Sequence, residues 1–469
     1  MSKGAKMNMS LAESTYVGDL GDGLICRWST AADMPKIAQA MGAIYRDSDE
    51  QPASPRAMDI ARVLMADDFP YMGPGDFALV EDVSKADCPV VAYTCLWRLR
   101  WRYANIDFGV GQPEMVATRP EYRNRGLVRA LFAMIHARSA AEGHLVQAIT
   151  GIPYFYRQFG YEYVLDLEGS RIAPVAVIPE KQNDQPEPYA LRLATLDDVP
   201  QLMAYYALSR GDSLVWNEAP EAFWRHHIAA WDDPSVQNDP LRTILHGRLH
   251  MIVADDGATV GYSRVAAKRW NEKLRVWMLH LAPGIDWHIA APCLLRALRA
   301  YGQTVPAVED NAKPFSVIEF MLGRTHPLYT LLEDTLPLRT IQPYAWYLRV
   351  PDIPAFLQRI APVLEARLAA SILAGYSGEM KIDFYRGGLR LVFAEGKFTE
   401  IALWRAPDYG DDADAGCPAT VFLQLLFCYR SLAELCAFFP DVWADATAAR
   451  LLEVLFPKLP SQVHALNNA

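Results

Sequence analysis

The segment Val116-Ala117-Thr118-Arg119-Pro120-Glu121-Tyr122-Arg123-Asn124-Arg125-Gly126-Leu127-Val128-Arg129 combines residue types suited to holding an anion. An apolar strand stops at Pro120. A basic loop with one glycine follows, and strong helix formers take over at Leu127. The first N–H groups of a helix lack intrahelical partners, and the helix dipole adds about half a positive charge at that end. Arg123, Arg125 and Arg129 add full charges, and Gly126 permits a tight turn and close approach of a ligand. The chemistry expected of such a loop is phosphate or pyrophosphate recognition. The loop has neither the GxxxxGK(S/T) pattern of a Walker loop nor the GxGxxG pattern of a dinucleotide fingerprint. A basic helix cap after a strand is the plainer alternative.

The elements that must position this loop belong to a long chain. Its 469 residues exceed one hydrophobic core, and a prior of ~150 residues per domain gives about three domains. A hydrophobic content of 51% with 21% charged residues describes a globular chain rather than a disordered one. No run of about 18 uncharged apolar residues occurs, so no membrane span is expected. Met1 to Ser10 carries lysines and polar residues without an apolar core, and residues 1–22 read as a flexible tail rather than a signal peptide. The seven cysteines are scattered and never in CxxC spacing, so neither a disulfide framework nor a zinc site is expected, and a cytoplasmic location fits. A net charge of −10 argues against nucleic-acid binding and suits a cationic substrate such as an amine. His226 and His227 are adjacent, point to different sides of a helix and make a poor metal pair, so no metal is expected.

The chain repeats itself. Arg27-Trp28-Ser29-Thr30-Ala31-Ala32-Asp33-Met34-Pro35 recurs as Arg192-Leu193-Ala194-Thr195-Leu196-Asp197-Asp198-Val199-Pro200. Both read as a strand end followed by a Thr-x-x-Asp helix start with proline in the first turn. Val91-Ala92-Tyr93-Thr94 then pairs with Val260-Gly261-Tyr262-Ser263, and Leu127-Val128-Arg129-Ala130-Leu131 with Leu294-Leu295-Arg296-Ala297-Leu298. Three matches in the same order give two copies of one domain. In the second copy, Ala290-Ala291-Pro292-Cys293 stands opposite Arg123-Asn124-Arg125-Gly126. Without glycine or arginine, and with a proline removing a donor, it should not hold a pyrophosphate.

A third region begins near Asp352-Ile353-Pro354. Phe356, Leu357, Ile360, Val363, Leu364 and Leu368 follow at helical spacing. Met380 to Phe384, then Leu389, Leu391 and Phe393, then Phe398 to Leu403 read as a strand meander broken at Gly387-Gly388 and Glu395-Gly396. Helices are expected over Thr420 to Tyr429 and from about Asp445 to Leu455.

The loop resembles the pyrophosphate loop of the GCN5-related N-acetyltransferases (GNAT), with Arg123 and Gly126 at the characteristic places and Val128 where the family usually has Gly or Ala. Phe155-Tyr156-Arg157-Gln158-Phe159-Gly160-Tyr161 resembles the family's FGY signature. The third region is similar to the sterol carrier protein-2 (SCP2) fold. The three parts in this order resemble Eis (enhanced intracellular survival) type acetyltransferases, whose loops commonly carry an apolar residue at the Val128 position. The resemblance implies an α/β (α+β) architecture of two tandem GNAT domains, catalytic over 23–170 and degenerate over 187–348, followed by an SCP2-like α+β domain over 349–469.

It implies acetyl-CoA as cosubstrate and direct acetyl transfer to a primary amine of a cationic small molecule or lysine side chain. Val116, Ala117 and Thr118 would bind pantetheine; Arg123, Asn124, Arg125, Gly126, Leu127 and Val128 the pyrophosphate; Arg129 further phosphate charge. Gly151 and Ile152 would lie beside the thioester. Tyr156 would be the acid that protonates the leaving thiolate, a phenol with a pKa near ~10 being protonated at neutral pH. Packing alone also accounts for most aromatics around it. Two groups compete for the base: the C-terminal carboxylate at Ala469, as in Eis-type enzymes, and Glu114, near the strand glutamate of ordinary GNATs. The resemblance also implies a homo-oligomer, hexameric in the Eis type. The alternative from another class is a non-catalytic acyl-CoA or lipid-binding protein.

Overall fold

The two Thr-x-x-Asp segments build the same device twice. The computed structural model describes residues 10–46, 50–86, 89–181, 186–238, 247–333, 339–405 and 412–464. Arg27 donates to both carboxylate oxygens of Asp33, at 2.8 and 2.7 Å. Arg192 grips Asp198 in the same way, at 2.9 and 2.8 Å. Each aspartate also accepts from a threonine N–H three residues earlier, Thr30 at 2.8 Å and Thr195 at 2.7 Å. A 3-10 turn then leads into the helices Met34–Ile44 and Val199–Ser209, each with proline in its first turn. The strand end and the helix start are thereby tied by one ion pair in each copy.

The chain gathers into two compact units, residues 1–164 with 346–459 and residues 165–345 with 460–469. The first is built on the strands Val17–Gly21 (β1), Leu24–Trp28 (β2), Phe77–Asp82 (β3), Val90–Tyr103 (β4), Ile106–Thr118 (β5), Val146–Ile149 (β6) and Glu162–Leu167 (β7). Neighbours from β1 to β5 pair antiparallel, while β5 and β6 pair parallel across the Leu127–Ala141 helix. Leu127, Leu131, Met134 and Ile135 of that helix bury against Leu24, Cys26, Val80 and Val91 of the sheet. Part of the segment expected to be a tail is therefore ordered: β1 covers the outer edge of β2.

The second unit repeats the plan. Its strands are Ser170–Pro174 (β8), Tyr189–Leu193 (β9), Val215–Asn217 (β10), Arg248–Ala254 (β11), Thr259–Val265 (β12), Lys273–Leu281 (β13), Val317–Phe320 (β14) and Arg339–Ile341 (β15). The sheet order is β15-β8-β14-β13-β12-β11-β9. The Trp287–Thr304 helix covers it with Leu294, Leu295 and Leu298. The segment 460–464 is fastened to β10, with Leu214 N–H on Pro460 O at 2.8 Å and Gln462 N–H on Val215 O at 3.0 Å.

The rest of the first unit starts with Tyr344–Arg349 (β16), which enters the first sheet between β6 and β7. The expected boundary near 348 thus separates in sequence what the sheet unites. Asp352 caps the helix Ile353–Ala369 through Ala355 N–H at 2.9 Å, and Phe356, Leu357, Ile360, Leu364 and Leu368 are fully buried. The meander forms Gly378–Asp383 (β17), Gly388–Ala394 (β18) and Lys397–Trp404 (β19), joined by Ala415–Gly416 (β20) and Trp443–Ala444 (β21) in the order β19-β18-β17-β20-β21. Helices cover Ala419–Leu426 and Ala446–Leu455, with a third at Leu432–Phe438 behind a Ser431/Glu434 capping box. Among the described residues the architecture is mixed α/β with three sheets.

Candidate active site

The parallel ladder between β5 and β6 spans Val110↔Val146 and Gly111↔Gln147. Beyond it, β5 stays paired to β4 as far as Thr118, and β6 to β16 as far as Ile149. The facing edges of β5 and β6 therefore part, leaving backbone donors and acceptors without a ladder partner across the gap. A bulge accompanies the parting. Tyr93 faces Ala117 but Cys95 faces Glu114, so Met115 and Val116 together answer to Thr94. Met115 adopts a φ of 55°, unusual for a side chain of its size. The Thr94 hydroxyl fastens the bulge by donating to Glu114 O at 2.9 Å.

The basic loop leaves β5 through a 3-10 turn, Pro120–Tyr122. Tyr122 is buried and donates its hydroxyl to Asp82 at 2.5 Å, which anchors the loop from below. Asn124 and Gly126 take left-handed conformations, φ 62° and 77°, and turn the chain into the helix. Gly126 is the N-cap, and among the described residues no side chain bonds back onto the first turn, so its N–H groups remain available. A Cβ built on Gly126 would meet nothing within 4 Å. Arg125 leans on Asp22 at 3.1 Å and Arg129 on Gln158 at 3.2 Å. Arg123 is exposed and forms no ion pair among the described residues. The arrangement can bind a polyanion at the open end of the gap.

Tyr156 sits in the 3-10 turn Phe155–Phe159, which is bounded by left-handed residues, Tyr154 at φ 66° and Gly160 at 84°. The side chain is buried. Its ring stacks on Phe132 at 5.9 Å and meets Tyr347 edge-on at 5.5 Å. Its hydroxyl lies 4.0 Å from the point where a Cβ on Gly151 would stand, just past the end of β6. One aromatic cluster joins Tyr156, Phe132, Ile149 and Tyr347 with Val116 of β5 and Val128 of the helix. The structure thus brings together residues from both sides of the gap, the helix start and the aromatic turn.

Residues 26–164 match the family model described as an acetyltransferase (GNAT) domain. This segment is a GNAT acetyltransferase domain. It contains the bulge, the parting strands, the loop and the aromatic turn, and it makes the chain an acetyl-transferring enzyme. No curated protein matches the sequence. Solved structures share the fold over nearly the whole chain at low identity. A GCN5-related N-acetyltransferase from Kribbella flavida is 18% identical with a TM-score of 0.60, covering 94% of this chain and 99% of that one. One from Anabaena variabilis is 14% identical with a TM-score of 0.60, covering 93% and 99%. Eis1 from Mycobacterium abscessus is 14% identical with a TM-score of 0.56, covering 95% and 100%.

Within the GNAT domain, Val116, Ala117 and Thr118 occupy the end of β5 beyond the bulge. The Thr118 hydroxyl oxygen is buried and bonds to no described residue, which fits a polar ligand running along this strand. Gly151 and Ile152 are exposed just past β6. Glu114 accepts from Gln112 Nε2 at 2.5 Å and from Met115 N–H at 3.4 Å. Burial raises its pKa above the ordinary carboxylate value, the two hydrogen bonds opposing the shift. Its charge adds to burial in pushing the Tyr45 phenol up to about 12. Ala469 lies outside the described residues.

Ala290 to Cys293 correct one expectation. They are not a loop but lie inside the Trp287–Thr304 helix, which extends past the point where the first copy has its loop. Asp286 caps that helix, accepting from His288 N–H at 2.8 Å. A carboxylate of this chain already occupies the anion position. Sequence reasoning missed Met115, Gln112, Tyr45 and Tyr347. The bulge contains no glycine or proline to announce it, and Tyr347 arrives from a strand far along the chain.

Proposed function

We propose that the GNAT domain transfers acetyl from acetyl-CoA directly to a primary amine of a cationic small molecule or a lysine side chain. The observation that carries this reading is the parting of β5 from β6 beside an uncapped helix start. An extended pantetheine arm, itself two amides, complements such a gap as a missing strand would. Val116, Ala117 and Thr118 hold it on one side, with Gly151 and Ile152 beside the thioester. Arg123 to Val128 hold the pyrophosphate and Arg129 adds charge.

Tyr156 supplies the proton to the departing thiolate, and its position beside Gly151 supports that role. Glu114 takes the proton from the attacking ammonium. Its raised pKa brings it closer to neutrality, where a general base works best. The carboxylate of Ala469 is the rival base, and a Glu114→Gln variant with full turnover would point to it. The net charge of −10 supports a cationic acceptor.

An SCP2-like character for 349–469 and a homo-oligomer belong to the same proposal and rest on the sequence resemblance; a cytoplasmic location belongs to it too and rests on the scattered cysteines. Among the described residues, no helix is long and apolar enough to cross a membrane. The test is thiol release from acetyl-CoA with polyamines, aminoglycosides and lysine peptides. Acceptor-dependent release is expected. Bound acetyl-CoA with no release for any amine would contradict the reading.

A further inference from the structure

The second unit holds a cavity of about 840 Å³ that acetyl transfer does not use. One wall is the Trp287–Thr304 helix, through Ala297 and Tyr301; another is β9, through Leu191 and Leu193. Trp231 and Val305 extend the apolar lining. The cavity stands where the two copies differ. In the first copy β1 covers β2, whereas β9, the counterpart of β2, is the outermost strand of its sheet.

The charges lining this cavity are unbalanced. Arg296 is neutralised by Glu187 through hydrogen bonds of 2.7 and 2.8 Å. Arg248 and Lys268 also line the cavity, and neither pairs with a carboxylate among the described residues. The Arg248 guanidinium lies over the Trp231 ring, 3.5 Å from its centroid. Burial pulls its pKa below the usual arginine value, with the Tyr301 phenol opposing the shift. His250, which also faces the cavity, is held neutral, burial lowering its pKa to about 4. Two half-buried cations that pair with no carboxylate among the described residues stand beside an aromatic and aliphatic surface large enough for a drug-sized ligand.

We propose that this cavity binds a small amphipathic anion, a carboxylate or sulfonate on an aromatic or acyl body, with Arg248 and Lys268 taking the charge and Trp231, Leu191 and Ala297 the body. The inference is independent of the acetyl-transfer reading, since none of these residues belongs to the GNAT domain.

The test uses the full chain with saturating acetyl-CoA present, so that the first-unit site is blocked. 1-Anilinonaphthalene-8-sulfonate is the fluorescent probe, with dodecanoate, dodecylamine and inorganic phosphate as competitors. Saturable binding is expected, displaced by dodecanoate but not by the amine or by phosphate. Arg248→Gln should weaken it by about tenfold or more. Ala297→Trp, which fills the cavity, should abolish it. Thermal melts identify any unfolded variant, and Arg248→Gln alone suffices if Ala297→Trp does not fold. The proposal is overturned if no saturable binding occurs, if folded variants bind as the parent does, or if dodecylamine or phosphate displaces the probe as well as dodecanoate does.

Discussion

Gly111 and Gln147 form the last rung of the parallel ladder between β5 and β6, and the first of them has no room for a side chain. A Cβ on Gly111 would collide with the Ser139 hydroxyl and stand 3.0 Å from His144 Nδ1. Neither neighbour can give way freely. Ser139 Oγ is bonded to His144 Nδ1 at 3.1 Å and accepts from Gln147 Nε2 at 3.2 Å. The position where the gap opens is therefore pinned from beneath.

Gly111→Val should destabilise the first unit by ~1–3 kcal/mol, the usual cost of overpacking. Calorimetric unfolding would show a fall of several degrees in Tm. An unchanged Tm would mean that the backbone there is free to move and does not pin the gap.

Tyr156→Phe preserves the ring contacts with Phe132 and Tyr347 and removes only the hydroxyl near Gly151. Turnover should fall by about a hundredfold, within the range for loss of a general acid, with acetyl-CoA affinity unchanged. Thiol release and calorimetric titration measure the two separately. Full turnover in the variant would remove Tyr156 from the chemistry.

Glu114 makes the rate depend on pH. The base must be ionised, and burial raises its pKa, so turnover should climb as pH rises through that raised value. Glu114→Gln should lose this limb of the profile. Stability follows the opposite course. The folded protein holds the Glu114 proton more tightly than the unfolded chain, so the carboxyl's contribution is full below the unfolded pKa and is lost as pH rises through the folded one. Relative to the parent, Glu114→Gln should therefore gain Tm between an acidic and a neutral buffer. A constant difference between the two buffers would contradict the raised pKa.

Asp286→Ala removes the cap of the Trp287–Thr304 helix and should cost ~1 kcal/mol. Thermal unfolding should shift by a few degrees while acetyl-CoA affinity stays the same. Weakened acetyl-CoA binding would show that the second copy takes part in holding the coenzyme.

The parts of this protein visible in its sequence are those fixed by neighbours in the chain. The Thr-x-x-Asp starts at Thr30 and Thr195 cap helices within a few residues, and the structure forms both. Gly126 takes the left-handed φ of 77° that a glycine before a helix permits. Leu389, Leu391 and Phe393 alternate in sequence and are all buried in β18. What could not be read depends on distant partners. The bulge at Met115 exists only relative to Thr94 on β4. β16 joins β6 through pairings such as Tyr347↔Ile149, which no local pattern encodes. Ala290 to Cys293 align with the loop by counting residues, but the earlier Asp286 cap starts the helix before them.

The most direct measurement is calorimetric titration of acetyl-CoA into the full chain and into Gly126→Glu. The added side chain meets no protein atom within 4 Å of its Cβ, so its effect falls on a ligand at the helix start, apart from about 1–2 kcal/mol for the left-handed backbone. The parent should bind acetyl-CoA, and the variant, checked as folded by its melting curve, should not. Equal affinity in the two proteins would place the coenzyme elsewhere and contradict the account.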